Sequence, residues 1–380
     1  MSVAVSPASA LERAALTRAL GLALNGRGRV SPNPLVGAVV LRDGEIVAEG
    51  WHEGPGLPHA EAMALAVAGD AARGSTVVCT LEPCSHFGRT PPCADALVAA
   101  GVARVVIGLL DPLERERAQG RDVLRAAGVE VAIADGAEAR ACAELNAPFL
   151  TWALTGRPEV TLKLATSLDG KIATASGESR WISGPTSRGL VHRWRADSDA
   201  VGVGLGTALA DDPQLTARDL TGPVRQPARV VFDSGARLPL DSALVRTAGD
   251  LPVVVIAAAD AEATRVQALR DAAVDVVLVA GSREERLAAG LDALGTRGIQ
   301  SLFVEGGADL AGSLVQQGAV DRIAWFLAPM LIGGRDAPSA LGGAGIAHLS
   351  DAPRLRDIET ERVGDDILIT GRLRPLAGTS

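Results

Sequence analysis

Residues 76–93 read ThrValValCysThrLeuGluProCysSerHisPheGlyArgThrProProCys. A short run rich in β-branched residues passes through Pro83-Cys84 into a loop, and two prolines then lead to Cys93, where a helix to Ala99 is expected. Strand, loop and helix in that order place both cysteines at the carboxyl edge of a sheet, the edge at which open α/β sheets hold ligands. Upstream, HisAlaGlu at 59–61 opens another expected helix, His59 to Val67, so that His59 and Glu61 project from its first turn, where the helix-end field acts on a bound group. One imidazole and two thiolates can hold a zinc ion and leave its fourth position to water, while a carboxylate two residues from the histidine moves protons. That set suits hydrolytic deamination. The general pattern is H-x-E with P-C-x-x-C and the Glu outside the metal shell; this chain spaces its cysteines much more widely. Cys79 is the available fourth ligand for a purely structural zinc, although its place inside the strand fits a core residue.

The same alternation extends in both directions. An amphipathic helix is expected from Ala8 to about Asn25, with Leu11, Ala15, Leu16, Ala19, Leu20 and Ala23 at helical spacing. A proline-rich loop then runs into a buried strand that ends at Asp43-Gly44. After Cys93–Ala99 come a strand at ArgValValIleGly, a helix around Val123 to Ala127, a strand at ValGluValAlaIle and a last helix around Ala137 to Leu145 that leads to Trp152. This β/α order predicts a sheet between layers of helices. ThrGlyArgProGlu at 155–159 is a polar break before a fresh strand, so two domains are expected, 1–154 and 158–380. The second half alternates again, with apolar strands at ValThrLeuLysLeuAla, AlaValGlyVal, ArgValValPhe, ValValValIle, AspValValLeuVal and SerLeuPheVal and a helix near Pro185 to Trp194. Continuous apolar runs of this kind read as buried parallel strands.

A chain of 380 residues is long enough for two cores without disulfides. A net charge of −8 argues against a general nucleic-acid binder, which needs a concentrated excess of Lys and Arg. Four cysteines, Cys79, Cys84, Cys93 and Cys142, do not form a secreted disulfide framework in a chain of this length and fit a reducing, cytoplasmic setting. No apolar run approaches a bilayer span, so no membrane association is expected.

Other residues carry chemistry more loosely. Asn33, between two prolines, can donate to and accept from an amino-pyrimidine, or simply shape a turn. In the second half, GlyValGlyLeuGlyThr at 202–207 lacks the glycine spacing of a standard dinucleotide fingerprint. GluGlyGlyAlaAspLeuAlaGlySer at 305–313 follows a strand and opens a helix, where amides freed by paired glycines can cradle a phosphate or merely make a tight connection.

SerProAsnProLeuValGlyAlaVal (31–39), HisAlaGlu (59–61) and GluProCysSerHisPheGlyArgThrProProCys (82–93) resemble the bifunctional riboflavin-biosynthesis deaminase/reductase family, and the resemblance covers essentially the whole chain. In the second half it rests on LysLeuAlaThrSerLeuAspGlyLysIleAla (163–173), SerGlyGluSerArgTrpIleSerGly (176–184) and ThrAlaLeuAlaAspAspProGlnLeuThrAlaArg (207–218). It implies an α/β protein: a cytidine-deaminase-like αβα sandwich followed by a domain similar to dihydrofolate reductase. The implied first reaction is zinc-dependent deamination of 2,5-diamino-6-ribosylamino-4(3H)-pyrimidinone 5′-phosphate, with His59, Cys84 and Cys93 as zinc ligands and Glu61 as proton carrier. Asn33 is a candidate contact to the amino-pyrimidine, and His86 and Arg89, in the insertion between the two cysteines, suit the phosphorylated, hydroxylated substrate. The implied second reaction is NADPH-dependent reduction of the ribosyl group to ribityl. Motif matching places the cofactor against Ala165, Trp181, Thr207, Asp211, Ser234 and the stretch Gly307, Ala308, Asp309, Leu310, Ala311, Gly312 and Ser313. Substrate contacts fall on Ser179, Arg195, Leu215, Arg218 and Glu305. Arg195 and Arg218 are suited to gripping a phosphate, and Glu305 to accepting from hydroxyl or amino groups. Lys163 and Asp169 flank this site or serve as ion-pair and turn residues, and Trp194 reads as core. The family likeness also suggests a homo-oligomer. One departure stands out: AspProLeuGluArgGluArgAlaGlnGly at 111–120 replaces the usual AspProAsnPro segment, which either changes how that loop meets the substrate or is a tolerated surface difference.

Overall fold

The computed structural model describes residues 7–88, 91–113, 120–222 and 224–378. The chain forms two compact units, one running to Thr155 and joined by the segment from Leu376, the other Gly156–Pro375. Leu376 packs with Ala143, Ala147, Phe149 and Leu150 of the first unit.

The first unit is built on β1 (Gly37–Arg42), β2 (Glu45–Trp51), β3 (Thr76–Cys79), β4 (Arg104–Ile107) and β5 (Glu130–Ile133), in the order β2-β1-β3-β4-β5. The pairs β3–β4 and β4–β5 are parallel, whereas β1 is antiparallel to both its neighbours. Side-chain alternation along these strands feeds two cores. On one face Val77, Cys79, Val105, Ile107 and Val131 meet Ala60, Ala64, Ala94, Leu97 and Leu124 from the helices Ala60–Ala68, Cys93–Ala99 and Gly120–Ala126. On the other, Val39, Leu41, Val78, Val106 and Ala132 meet Leu16, Ala19 and Leu22 of the helix Ala10–Ala23 and Cys142 of the helix Gly136–Leu145. This is the expected sheet between two helical layers. Ser9 and Glu12 close a reciprocal capping box at the start of the first helix.

Strand β2 is absent from the sequence reading. Asp43-Gly44 does not end a strand run but turns it into a hairpin: both residues have positive φ, 51° and 85°, as a two-residue turn requires, and Arg42 pairs with Glu45. The first three residues of β2 are exposed, which blurs its hydrophobic period.

The second unit holds nine strands among the described residues: β6 (Glu159–Ser167), β7 (Ala200–Gly204), β8 (Ala228–Phe232), β9 (Val253–Ala258), β10 (Asp275–Val279), β11 (Ser301–Glu305), β12 (Arg322–Ala328), β13 (Arg356–Val363) and β14 (Asp366–Arg372). Their order is β10-β9-β8-β7-β11-β6-β12-β14-β13. The run from β10 to β12 is parallel, and β14 and β13 add an antiparallel edge. From β7 the chain proceeds outward through β8, β9 and β10, then returns to insert β11 between β7 and β6. The strand order thus reverses at β7, β11 and β6, and the carboxyl ends of those strands are where such a sheet offers a crevice. The sequence reading also lacks β12, β13 and β14. All of β13 but its last residue is exposed, and its alternation of Arg, Asp and Glu with few apolar residues is typical of a protected sheet edge.

Among the described residues no helix is long and apolar enough to cross a membrane.

Candidate active sites

In the first unit, three elements converge beyond the carboxyl ends of the central strands. His59 occupies the N-cap position of the helix Ala60–Ala68 with extended backbone, and Cys93 is the first residue of the helix Cys93–Ala99. Cys84 lies on the loop between them, held by the Cys93 amide, which donates to its Sγ at 3.3 Å, and by the Ala94 amide, which donates to its carbonyl at 3.0 Å. Nδ1 of His59 lies 3.5 Å from Cys84 Sγ and 3.4 Å from Cys93 Sγ. Tetrahedral zinc with ordinary Zn–S and Zn–N lengths requires a nitrogen–sulfur separation of about 3.6 Å, so this donor set fits the ion. Among the described residues it is the one cluster of potential metal ligands, with ligand atoms within 4.8 Å of one another. Cys79 takes no part: it is fully buried in the core, and its thiol faces the Val106 carbonyl at 3.6 Å. Three protein ligands leave a coordination position open, the arrangement of a catalytic rather than a structural zinc.

The electrostatics of the set are strongly coupled. A hydrogen bond from the Cys93 thiol, aided by His59 and the Cys93 amide and opposed by burial, pulls Cys84 down to about 4. The same pairing, with burial, pushes Cys93 up. Glu61 is 3% exposed, and burial, then the Cys84 charge, raise its carboxyl to about 7. It therefore sits in the range in which a carboxylate exchanges protons at neutral pH.

Asn33 joins this site through His52. Its amide nitrogen is 2.9 Å from His52 Nε2, while His52 Nδ1 is 3.1 Å from the Pro58 carbonyl. The His52 ring stands edge-on to that of His59, 5.3 Å between centroids. The sequence reading assigns His52 no role; its place just after β2, a strand that reading lacked, was the missing signal. His86 is half-buried two residues after Cys84. Arg89 and most of the atypical segment, residues 114–119, lie outside the described residues.

Glu82 is a second residue that sequence reasoning passed over. Its buried carboxylate accepts the backbone amides of Asp111, at 3.3 Å, and Arg121, at 3.1 Å, and so fastens both flanks of the atypical segment beside Pro83-Cys84. The signal for it is an ionisable residue between Leu81 and Pro83 at the end of an apolar run. Gly120 comes so close that a Cβ there would stand 1.7 Å from the Pro83 carbonyl oxygen. Gly120→Ala should therefore displace Pro83 and the adjoining zinc ligand, lowering zinc affinity by about 10–100-fold. Zinc per chain, measured after dialysis against a graded chelator, checks this; NADPH-linked activity should not change.

In the second unit the expected cofactor residues gather at the carboxyl edge of adjacent strands. Thr207 follows β7, Ser234 follows β8, Gly307 and Ala308 follow β11, and Ala165 lies near the end of β6. The first two glycine-rich turns touch: Thr207 Oγ1 donates to the Gly306 carbonyl at 3.5 Å, and a Cβ on Gly307 would stand 2.7 Å from Thr207 Oγ1. Gly307 caps the helix Ala308–Gln316 with no side-chain hydrogen bond, which fits a backbone cradle for a cofactor phosphate. Within the stretch 307–313, Leu310 and Ala311 are core residues, Gly312 packs against the Gly342 backbone, and the Ser313 hydroxyl donates to the Asp309 carbonyl at 2.8 Å. Trp181 is 66% exposed with the Arg188 guanidinium over its ring, whereas Trp194 packs against Phe303 and Phe326. Asp211 is paired with Arg180, which donates to its backbone carbonyl at 2.7 Å and lies 3.4 Å from its carboxylate. Ser179, half-buried, lies on the same loop as Arg180 and Trp181.

The substrate residues divide. Arg195 and Glu305, expected as separate contacts, form a two-point ion pair, with Nη2 2.9 Å from Oε2, and Arg195 also donates to the Thr216 carbonyl at 3.0 Å. Arg195 is thereby committed to Glu305 rather than open to a phosphate. Lys163, opposite Glu305 in the β6–β11 ladder, is lowered by burial, with Glu305 acting the other way. Burial alone would raise Glu305, yet Arg195 and Lys163 hold it below the usual carboxylate range. Arg218 stays exposed, held over the site's rim by Gln214 at 3.0 Å and the Thr216 hydroxyl at 3.1 Å. Leu215, 2% exposed with φ of 55°, turns its side chain into the core, so any ligand contact there is through its backbone. Asp169 is a turn residue: the Ser167 hydroxyl and the amides of Ile332 and Gly333 bring its carboxyl down to about 2.

Two known families divide the chain as this geometry does. "Cytidine and deoxycytidylate deaminase zinc-binding region" matches residues 11–109, and "RibD C-terminal domain" matches residues 158–369. The riboflavin biosynthesis protein RibD of Actinobacillus pleuropneumoniae is 42% identical over 356 residues, covering 93% of each chain. The chain belongs to the RibD family. RibD of Escherichia coli (strain K12) is 41% identical over 93% of this chain and 97% of its own. Among solved structures, Acinetobacter baumannii RibD aligns with a TM-score of 0.84 at 36% identity, over 95% of this chain and 98% of that one. A Thermotoga maritima protein titled diaminohydroxyphosphoribosylaminopyrimidine deaminase/5-amino-6-(5-phosphoribosylamino)uracil reductase aligns with a TM-score of 0.81 at 35% identity, over the same shares. As a member of the RibD family the protein is a bifunctional deaminase and reductase of riboflavin biosynthesis that uses zinc and NADPH, with a cytidine-deaminase-like first domain.

Proposed function

We propose that the first unit, assigned to residues 1–154, hydrolyses the amino group of 2,5-diamino-6-ribosylamino-4(3H)-pyrimidinone 5′-phosphate, and that the second, assigned from 158, reduces the ribosyl group of the product to ribityl. The carrying observation is the three-ligand set of His59, Cys84 and Cys93 with buried Glu61 against it. Zinc held by these residues supplies the Lewis-acid chemistry that makes water nucleophilic near neutral pH. Glu61 carries one proton from the attacking water to the ring nitrogen and then a second to the departing amino group, which leaves as ammonia. Asn33 and His86 orient the pyrimidine ribotide. In the second unit NADPH supplies the hydride, and the chain's part is to align two reactants and exclude water. Thr207 and the Gly306-Gly307 turn receive the cofactor phosphates, with Ala165, Trp181, Asp211 and Ser234 around it. Glu305, set by Arg195, accepts from the substrate; Lys163 is the half-buried group beside it that can hold the proton needed as the ribose ring opens; Ser179, Arg218 and the Leu215 backbone line the rest. A cytoplasmic setting accords with four cysteines that form no disulfide, and a homo-oligomer with the family likeness.

The test is sequential. Zinc-loaded protein given the diamino-pyrimidinone ribotide should release ammonia, and NADPH added afterwards should lose its absorbance. Failure to release ammonia from this substrate refutes the first half; ammonia without NADPH consumption refutes the second.

A further inference from the structure

His52 stands in the first unit with both ring nitrogens engaged by groups of unequal character. The Pro58 carbonyl, 3.1 Å from Nδ1, can only accept, so Nδ1 carries the proton. The group against Nε2, at 2.9 Å, is the Asn33 amide nitrogen, which can only donate, so Nε2 is the acceptor. An asparagine at the mouth of a site can ordinarily turn either end to a ligand; here one end is spoken for. Its Oδ1 accepts no hydrogen bond from the described residues. We infer that His52 is a positioning residue that fixes the polarity of Asn33, so that the ligand group read by Asn33 is an N–H donor and not a carbonyl or ring-nitrogen acceptor. The amino groups and ring N–H of the diamino-pyrimidinone are donors of that class, and the inference rests on the deaminase reading above.

The experiment is a double-variant cycle on the full zinc-loaded chain, with kcat and KM for ammonia release, zinc per chain and NADPH-linked activity measured together. His52→Leu should raise KM about tenfold or more while kcat and zinc content hold. His52→Gln, whose amide oxygen can stand in for Nε2, should recover most of that loss, and His52→Leu should add nothing in an Asn33→Ala background. Asn33→Asp supplies a variant that keeps Oδ1 but sets an oxygen against Nε2; it too should raise KM. Loss of zinc or of kcat at unchanged KM would instead make His52 a support for His59 and overturn the inference. Additive effects in the double variant, or wild-type KM in Asn33→Asp, would also overturn it. Absence of ammonia release by the unaltered protein would be a failure of the functional reading and not of this one.

Discussion

Glu61→Gln should slow ammonia release by about 10²–10⁴-fold without emptying the zinc site. The substitution keeps the side chain's size and removes its capacity to carry a proton. Glu61 itself is outside the ligand set, so zinc per chain should stay at the wild-type value. Burial already raises this carboxyl to about 7, which means that the neutral amide suits its surroundings at least as well as the charged carboxylate and the fold should not suffer. The selective readout is the second reaction: given the deaminated substrate, Glu61→Gln should oxidise NADPH at the wild-type rate. A variant that still releases ammonia at more than about a tenth of the wild-type rate would show that another group carries the proton.

Glu305→Ala should have the other large effect, on the second unit alone. Its carboxylate holds Arg195 at two points and faces Lys163, and Arg195 and Glu305 side chains are only 13% and 14% exposed. Removing the one negative charge leaves two largely buried cations side by side, a change that typically costs about 3–5 kcal/mol. For a unit of this size that lowers the midpoint of thermal unfolding by about 10 °C. NADPH oxidation should fall with it. Glu305→Gln separates the two consequences: it retains an acceptor for Arg195 and much of the packing, yet should still lose NADPH oxidation if the charge itself sets the substrate's position. Wild-type turnover in Glu305→Gln would remove Glu305 from the active site and leave it a structural residue.

What could be read in advance follows a physical division. The cluster of potential metal ligands was legible because metal chemistry demands rare residue types, and the loop and helix start that hold Cys84 and Cys93 are written in prolines around them. The central strands were legible because burial on both faces makes continuous apolar runs. By contrast β2, β13 and β14 lie toward sheet margins, and β2 and β13 are largely exposed; their residues answer to solvent as much as to the core, so the two-residue period fades. Pairings across long separations were hidden as well. Nothing local joins Arg195 to Glu305 or Glu82 to Arg121, since each partner is polar and would suit a ligand equally well. In the glycine-rich stretch 307–313 sequence does not show which side of the helix's first turns faces inward.

The return of Leu376 to the first unit bears on how this protein came to have, or could ever shed, one of its halves. A chain truncated at 155 keeps every zinc ligand but lacks the side chain that packs beside Phe149 and Leu150, while an independent second half inherits an apolar tail with no place to go. The two activities are therefore not modules on a string that a single cut could part. Gene fission, natural or engineered, would have to reassign the last few residues as well, and a first unit supplied with a short peptide spanning 376–380 should tolerate separation better than one without it.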